Sequence, residues 1–361
     1  MLKITQINMK TKELKKILEK KSLDAAIFTS IGMEPNPNVV YYSQYTGVGA
    51  LIIPKKQNPF LVVPEMEFER AKKSQIKLVY PMNKKKFFES VQQITKKKKI
   101  KTKSIGMDAT NISLNTYKNL RKNFKKTKDL SLDCLKLRET KTNKEVKIIK
   151  KAFNFTNEIF NKTISNFKDF KTESEVAAFL EYESKKLGLG ISFPPIVASG
   201  KNASMPHYEP RNIRLNKGLC VIDFGIKYKN YCTDMTRTIG IKKITKEEKN
   251  NYNFLLNIQN NLINDIKLND KCSKIYENCI EQLKDKAKYF PHGLGHGVGV
   301  EIHELPNLTL NSKDRIKKNM VFTIEPGIYI PNIFGIRIED AILMKNKPII
   351  LTKVAKDLLI V

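Results

Sequence analysis

The sequence predicts an α+β protein in two parts: a smaller α/β domain over residues 1–136 and a larger α+β domain over residues 137–361. Three observations carry this. The first part alternates helical periodicity with short apolar runs bounded by turn residues. The second opens on helices whose starts carry capping-box pairs. All four histidines, with the most suggestive acids, fall in strand-rich stretches of that second part.

Taken in order, residues 11–21 place Leu14, Ile17 and Leu18 at helical spacing. Strand-like runs follow in LDAAIFTS, VGALIIP, PFLVVP, IKLVYP and KSIGMDA, which together read as a mixed sheet. LKLRETKTNKEVKIIKKA, residues 135–152, reads as a charged linker running into a helix, with the domain boundary near residue 136. Thr172 with Glu175 and Thr245 with Glu248 are capping boxes, and Gly188 is a C-terminal stop for the first of these helices. The acids are expected on sheet strands with helices packed outside.

Composition narrows the function. A hydrophobic content of 41% is that of a globular chain, and no apolar run approaches the ~18 residues of a membrane span. The start, MLKITQINMKTKELKKILEK, has no apolar segment of the kind a signal peptide requires. Cys134, Cys220, Cys232, Cys272 and Cys279 are odd in number and form no CxxC, which points to reduced thiols in a cytoplasm. A net charge of +30 raises nucleic acid as a partner, but only 8 of the 66 basic residues are arginine, the better reader of phosphates and bases. Lysine runs such as Lys84–Lys86 and Lys96–Lys99 read as solvated faces.

The chemistry-bearing residues lie in a few short strings. Asp223 in GLCVIDFG and Asp234 in NYCTDMTRT sit on strand-like runs joined by KYKN. A hairpin centred between Tyr228 and Lys229 would set the two carboxylates opposite each other, their Cβ atoms about 5 Å apart. Carboxylates that close repel unless a cation lies between them, although a surface hairpin would also hold them harmlessly. PHGLGHGVGVEIHE carries His292, His296 and His303; HGVGVEIHE alternates like a strand, and its glycines permit close approach. A lone histidine is commonly structural; three within twelve residues, in a chain with four, point to a functional cluster. Glu325 in FTIEPGIY, followed by proline, and Glu339 in IRIED, read as a strand, add two oxygen donors. One imidazole with four carboxylates suits Mn²⁺, Co²⁺, Fe²⁺ or Zn²⁺ better than a thiolate zinc site would.

The order Asp, Asp, His, Glu, Glu in VIDFG, TDMTRT, HGLGHGVG, TIEPGIY and RIED resembles the pita-bread metallopeptidases, which include methionine aminopeptidase, aminopeptidase P and prolidase. The likeness covers residues 137–361, and NVVYYSQYTG extends it to the creatinase-type N-terminal domain. It implies a pseudo-twofold pita-bread domain behind a smaller α/β domain. It also implies two divalent metal ions, Mn²⁺ or Co²⁺ before Zn²⁺ or Fe²⁺, held by Asp223, Asp234, His296, Glu325 and Glu339. The implied reaction is hydrolysis of Xaa-Pro bonds by a hydroxide bridging the metals. Glu325 would shuttle the proton, while His207 in MPHYEP, His292 and His303 would contact substrate and the tetrahedral intermediate. Arg337 and Tyr329 match a pair that orients the first aspartate, here Asp223. Two-domain relatives commonly form homodimers.

An N-terminal domain of this type argues against methionine aminopeptidase, and the full set of acids argues against creatinase. The compact length and the step from Glu325 to Glu339 lean to an Xaa-Pro dipeptidase. Asn307 in HELPNL, where prolidases often carry an arginine for the dipeptide carboxylate, keeps the aminopeptidase P alternative, acting on longer peptides. A non-catalytic RNA-binding relative is the remoter alternative, and lysines serving only solubility the simpler account of the charge.

Overall fold

The computed structural model describes residues 7–32, 34–82 and 86–361. Lys84 and Lys85 of the first lysine run, and the first six residues, lie outside the described residues. Lys96, Lys97 and Lys99 of the second run are exposed; the Lys98 ammonium lies over the rings of Phe60 and Tyr80. The chain divides into two compact units, Met1–Arg138 and Glu139–Val361.

The first unit is built on a six-stranded sheet. Its strands run, edge to edge, Leu78–Pro81, Phe60–Val63, Gly49–Pro54, Ala25–Ser30, Ser104–Met107 and Lys126–Asp129. Ala25–Ser30 pairs antiparallel with Gly49–Pro54 and parallel with Ser104–Met107, so the sheet is mixed. That strand is buried along its whole length, which explains its continuous apolar run. Ile27, Ile52, Phe60, Val62, Phe88, Val91 and Ile105 form one core of this unit. Leu14 and Leu18 of the helix Ile7–Lys20 are fully buried. The edge strand Lys126–Asp129 carries no apolar signal, and its charged residues suit an edge open to water.

Residues 135–152 are not a linker. They belong to two helices, Ser131–Glu139 and Asn143–Ser165, with a break of three residues. Lys, Arg and Glu are good helix formers, so their density marks helix surface rather than solvated coil. The second helix starts on a further capping box: Thr142 accepts from the Glu145 backbone N–H while the Glu145 carboxylate accepts from that of Thr142. The expected boxes at Thr172–Glu175 and Thr245–Glu248 both form, and Gly188, at φ +70, follows the helix Glu173–Lys186.

The second unit repeats one plan. Helices Asn143–Ser165 and Glu173–Lys186 share a core with the antiparallel sheet Ile196–Ser199, Gly218–Phe224 and Met235–Ile241. Helices Lys246–Asp265 and Cys272–Leu283 share another with the five-stranded sheet Glu304–Leu308, Gly295–Gly297, Val321–Ile324, Asp340–Met344 and Pro348–Ile350. Each fully buried Leu, Ile or Phe in these cores contributes about 1.5–3 kcal/mol. The first sheet carries Asp223 and leads into Asp234; the second brings His296, Glu325 and Glu339.

Candidate metal centre

Asp223 lies within the strand Gly218–Phe224, and Asp234 just before the strand Met235–Ile241. The hairpin register differs from the sequence expectation. Lys229 and Asn230 both take positive φ, 48° and 66°, and Tyr228 pairs with Tyr231 across them. This is the two-residue turn whose twist suits a hairpin, and Asn favours it. The axis therefore falls between Lys229 and Asn230, and Asp223 faces Thr236 rather than Asp234. Because the shift is even, both carboxylates stay on one face of the ribbon.

The other three residues sit where strands stop or bend. HGVGVEIHE is not one strand: Gly295–Gly297 pairs up to a register shift after His296, residues 298–303 loop out, and pairing resumes at Glu304–Leu308. The Val300 N–H leaves the ladder because the Glu304 carboxylate accepts from it. Gly295 is required here, since a Cβ would lie 2.0 Å from the Thr323 carbonyl oxygen. IRIED is likewise divided into Phe334–Arg337 and Asp340–Met344, with Glu339 in the gap and its N–H donating to the Thr236 carbonyl. Glu325 occupies the gap between Val321–Ile324 and Gly327–Ile330, beside Pro326, which has no N–H to continue a ladder. A strand that breaks between sheets can aim a side chain into the space between them.

These side chains converge. Ligand atoms of Asp234, His296 and Glu339 lie within 4.8 Å of one another. His296 Nε2 is 3.4 Å from both Asp234 Oδ2 and Glu325 Oε1. Burial, then the neighbouring acids, pushes the carboxyls of Asp234 and Glu339 well above their usual range. Asp223 is also raised by burial, against the pull of Arg337. Asp223 Oδ1, Asp234 Oδ1 and Glu339 Oε1 are buried with no hydrogen-bond partner among the described residues. Leaving a buried carboxylate oxygen unpaired costs several kcal/mol. Four carboxylates and one imidazole, three of whose oxygens lack a donor, fit divalent cations as the missing partner.

A hydrogen-bond chain braces the cluster from behind. Arg337 donates through Nη2 to Asp223 Oδ2 (2.7 Å), through Nη1 to Tyr329 Oη (2.8 Å) and through Nε to Thr236 Oγ1 (3.0 Å). The Thr236 hydroxyl donates in turn to Glu339 Oε2 at 2.7 Å. Burial opposes the guanidinium charge, but Tyr329 and Asp223 more than restore it, and its pKa rises. Burial raises the Tyr329 hydroxyl to about 12. His292 Nδ1 lies 2.8 Å from the Gly293 carbonyl oxygen, which can only accept, so that nitrogen carries the proton. Its Nε2 then accepts from Tyr329 Oη at 2.9 Å. Both ring nitrogens are engaged, and burial lowers the pKa of His292.

His207 and His303 are open to solvent, and among the described residues neither ring makes a hydrogen bond. His303 packs edge-on against His296, centroids 4.2 Å apart; desolvation and then the neighbouring His296 lower its pKa. His207 follows Pro206, whose carbonyl accepts from Arg337 at 3.3 Å. The sequence reading omitted Thr236 and Thr323. Thr323 Oγ1 accepts from the His296 N–H (3.0 Å) and donates to Glu325 Oε1 (3.1 Å). Each threonine stands two residues from an acid of the cluster, the strand spacing that shares a face, and that was the available signal.

The family model for metallopeptidase family M24 matches residues 147–346, and that for the creatinase/prolidase N-terminal domain matches residues 10–140. The chain is 34% identical to an Xaa-Pro dipeptidase of Pyrococcus horikoshii, over 98% of this chain and 99% of that one. It superposes on the crystal structure of a prolidase from P. horikoshii with a TM-score of 0.87, at 33% identity over 97% of this chain and 100% of that one. It is similar to an X-Pro aminopeptidase structure from Thermotoga maritima, TM-score 0.88, at 28% identity over 97% and 99% of the two chains.

Proposed function

We infer the reaction from one premise: the chain belongs to metallopeptidase family M24, with a creatinase/prolidase N-terminal domain ahead of its pita-bread domain. It is a peptidase that hydrolyses the Xaa-Pro bond, with the Xaa-Pro dipeptide as first substrate. The observation that carries this reading is the set of three buried, unpartnered carboxylate oxygens on Asp223, Asp234 and Glu339, in a chain alike from end to end to Xaa-Pro dipeptidases.

In this reading residues 137–361 are catalytic, and Asp223, Asp234, His296, Glu325 and Glu339 hold two divalent ions, Mn²⁺ or Co²⁺ before Zn²⁺ or Fe²⁺. Bound there, the ions would acidify a water and polarise the scissile carbonyl. Arg337 fixes one oxygen of Asp223 and, through Thr236, one of Glu339, leaving the opposite oxygens to face inward. Glu325 receives the proton and delivers it to the leaving imide nitrogen, with Thr323 setting its carboxylate. An amide nitrogen leaves only after gaining a proton, and the proline nitrogen departs as a secondary amine carrying the one delivered. His303 and His207, whose ring nitrogens are uncommitted, donate to the developing oxyanion. His292, with both nitrogens engaged, acts instead by orienting Tyr329.

Asn307 favours a second reading. It pairs directly with His296 across the two strands, is exposed, and offers an amide rather than a cation to a dipeptide carboxylate. That supports cleavage of longer Xaa-Pro peptides. The deciding experiment measures hydrolysis of Ala-Pro and Ala-Pro-Ala after chelation and readdition of Mn²⁺, Co²⁺ or Zn²⁺. Cleavage of the dipeptide alone supports a dipeptidase; preference for the tripeptide supports the aminopeptidase; no cleavage of either refutes both. The homodimer is likewise proposed, and light scattering tests it.

A further inference from the structure

We propose that the buried ion pair of Lys141 and Glu304 is a positioning device for His303, acting through the loop that separates His303 from His296. The inference rests on the peptidase reading above. Lys141 Nζ lies 2.8 Å from Glu304 Oε2, and each side chain is only 1% exposed. The other carboxylate oxygen, Oε1, accepts from the Val300 N–H at 3.1 Å and, more weakly, from the Glu301 N–H at 3.4 Å. Residues 298–303 thus wrap around the carboxylate of the residue that ends them. The wrap is close: a Cβ on Gly299 would lie 2.1 Å from Glu304 Oε2, so a side chain there would push the carboxylate from its place.

The loop is also tied outward. The Gly299 carbonyl accepts from the Cys232 N–H at 2.7 Å, two residues before Asp234, and the Val298 N–H donates to the Val321 carbonyl. Lys141 is itself anchored, its N–H donating to the Asn319 carbonyl at 2.9 Å. His303 directly precedes Glu304 in the chain, and its ring rests on His296. One buried carboxylate therefore directs the backbone from the candidate ligand His296 to His303, and Lys141 places the opposite charge against it. A buried ion pair does little for stability compared with an apolar pair of equal volume. What these charges provide is direction, since an ionised carboxylate draws backbone N–H groups toward it.

The test is a mutant cycle in the metal-loaded, full-length protein with an Xaa-Pro substrate, recording kcat, KM, metal content and the melting curve. Glu304→Ala is expected to lower kcat by about 100-fold, the order that a 1 Å misplacement costs, with KM and metal content little changed. In a His303→Ala background the same substitution is expected to cost less than about threefold more, because its effect passes through His303. Full additivity, or a kcat that merely follows folded fraction or metal content, overturns the proposal. If Glu304→Ala does not fold, Lys141→Met and Lys141→Met with Glu304→Gln decide. The single variant, with its carboxylate left uncompensated, should lose kcat, and the neutral, near-isosteric pair should regain it to within about tenfold of wild type. Equal kcat in both overturns the proposal. Wild-type protein that cleaves no Xaa-Pro peptide with any metal removes the function reading and this inference together. Additivity in an active wild type removes only the inference.

Discussion

Glu339 and Asp340 are adjacent, equally buried and opposite in condition. Burial pushes the Asp340 carboxyl up, yet Arg237 and Lys356 hold it below the usual carboxylate range. Its Oδ1 accepts from Arg237 Nη2 at 2.7 Å, and its Oδ2 from Gln259 Nε2 at 2.9 Å and Lys356 Nζ at 3.0 Å. Glu339 has the Thr236 hydroxyl on one oxygen, no partner on the other among the described residues, and other acids around it; its carboxyl is raised well above that range. Burial is common to both, so burial does not decide the outcome. The supply of cationic and N–H partners decides: among the described residues one oxygen each of Glu339, Asp234 and Asp223 has none, and Arg337 serves only the other oxygen of Asp223. One carboxylate is fully answered and its neighbour is not, which is the condition the proposed metal centre requires of Glu339.

The comparison breaks most visibly at turnover. Asp234→Asn or His296→Ala is expected to lower kcat/KM by at least about 10³-fold while the circular dichroism spectrum stays native. Activity within tenfold of wild type in either would remove the proposed centre. The stability effects should then run in opposite directions at Asp340 and at Asp234. Asp340→Asn removes the negative charge that faces buried Arg237 and is expected to destabilise by about 3–5 kcal/mol in denaturant unfolding. In chelated protein, Asp234→Asn is expected to raise the melting temperature, since it removes a repelled carboxylate. If both variants destabilise alike, the contrast between the regions is wrong.

A smaller effect sharpens the same point through pH. Raised folded-state carboxyl pKa values for Asp223, Asp234 and Glu339 mean the folded, metal-free chain binds protons more tightly than the unfolded one. The resulting penalty is absent below the unfolded value of about 4 and grows as pH rises toward the raised values. Metal-free protein should therefore melt at a higher temperature near pH 5 than near pH 8, and added Mn²⁺ should flatten that slope. An unchanged slope would show that the ion does not meet these acids. Smallest of all, Tyr329→Phe leaves Arg337 and His292 without their shared oxygen and is expected to cost about 10–100-fold in kcat or metal affinity. An effect below twofold would leave His292 without its proposed role.

Periodicity and capping made most of the fold legible in the sequence. Five of the six strands of the first unit, the boxes at Thr172 and Thr245, and every residue of the acid cluster were readable because each is a local pattern or a rare residue in a dense motif. The misreadings share a cause. The run 135–152 looked like a linker because charge masked a capping box at Thr142. HGVGVEIHE and IRIED looked like strands because alternation continues through a break that pattern does not show, made by the string's own Glu304 carboxylate in one case and by the distant Thr236 carbonyl in the other. The hairpin register missed by two because a turn type depends on backbone angles at Lys229 and Asn230 that composition states only weakly.

By itself the sequence determined the inventory: which acids and histidines the chain carries, on which faces of which elements, and hence its family. Tertiary structure decided the rest. Which carboxylate oxygens end without a donor, which histidine has spent both nitrogens, and which buried lysine answers which glutamate all depend on groups distant in the chain. Hydrogen bonds and Coulomb forces act over a few ångströms of space, and no reading along the chain measures that distance.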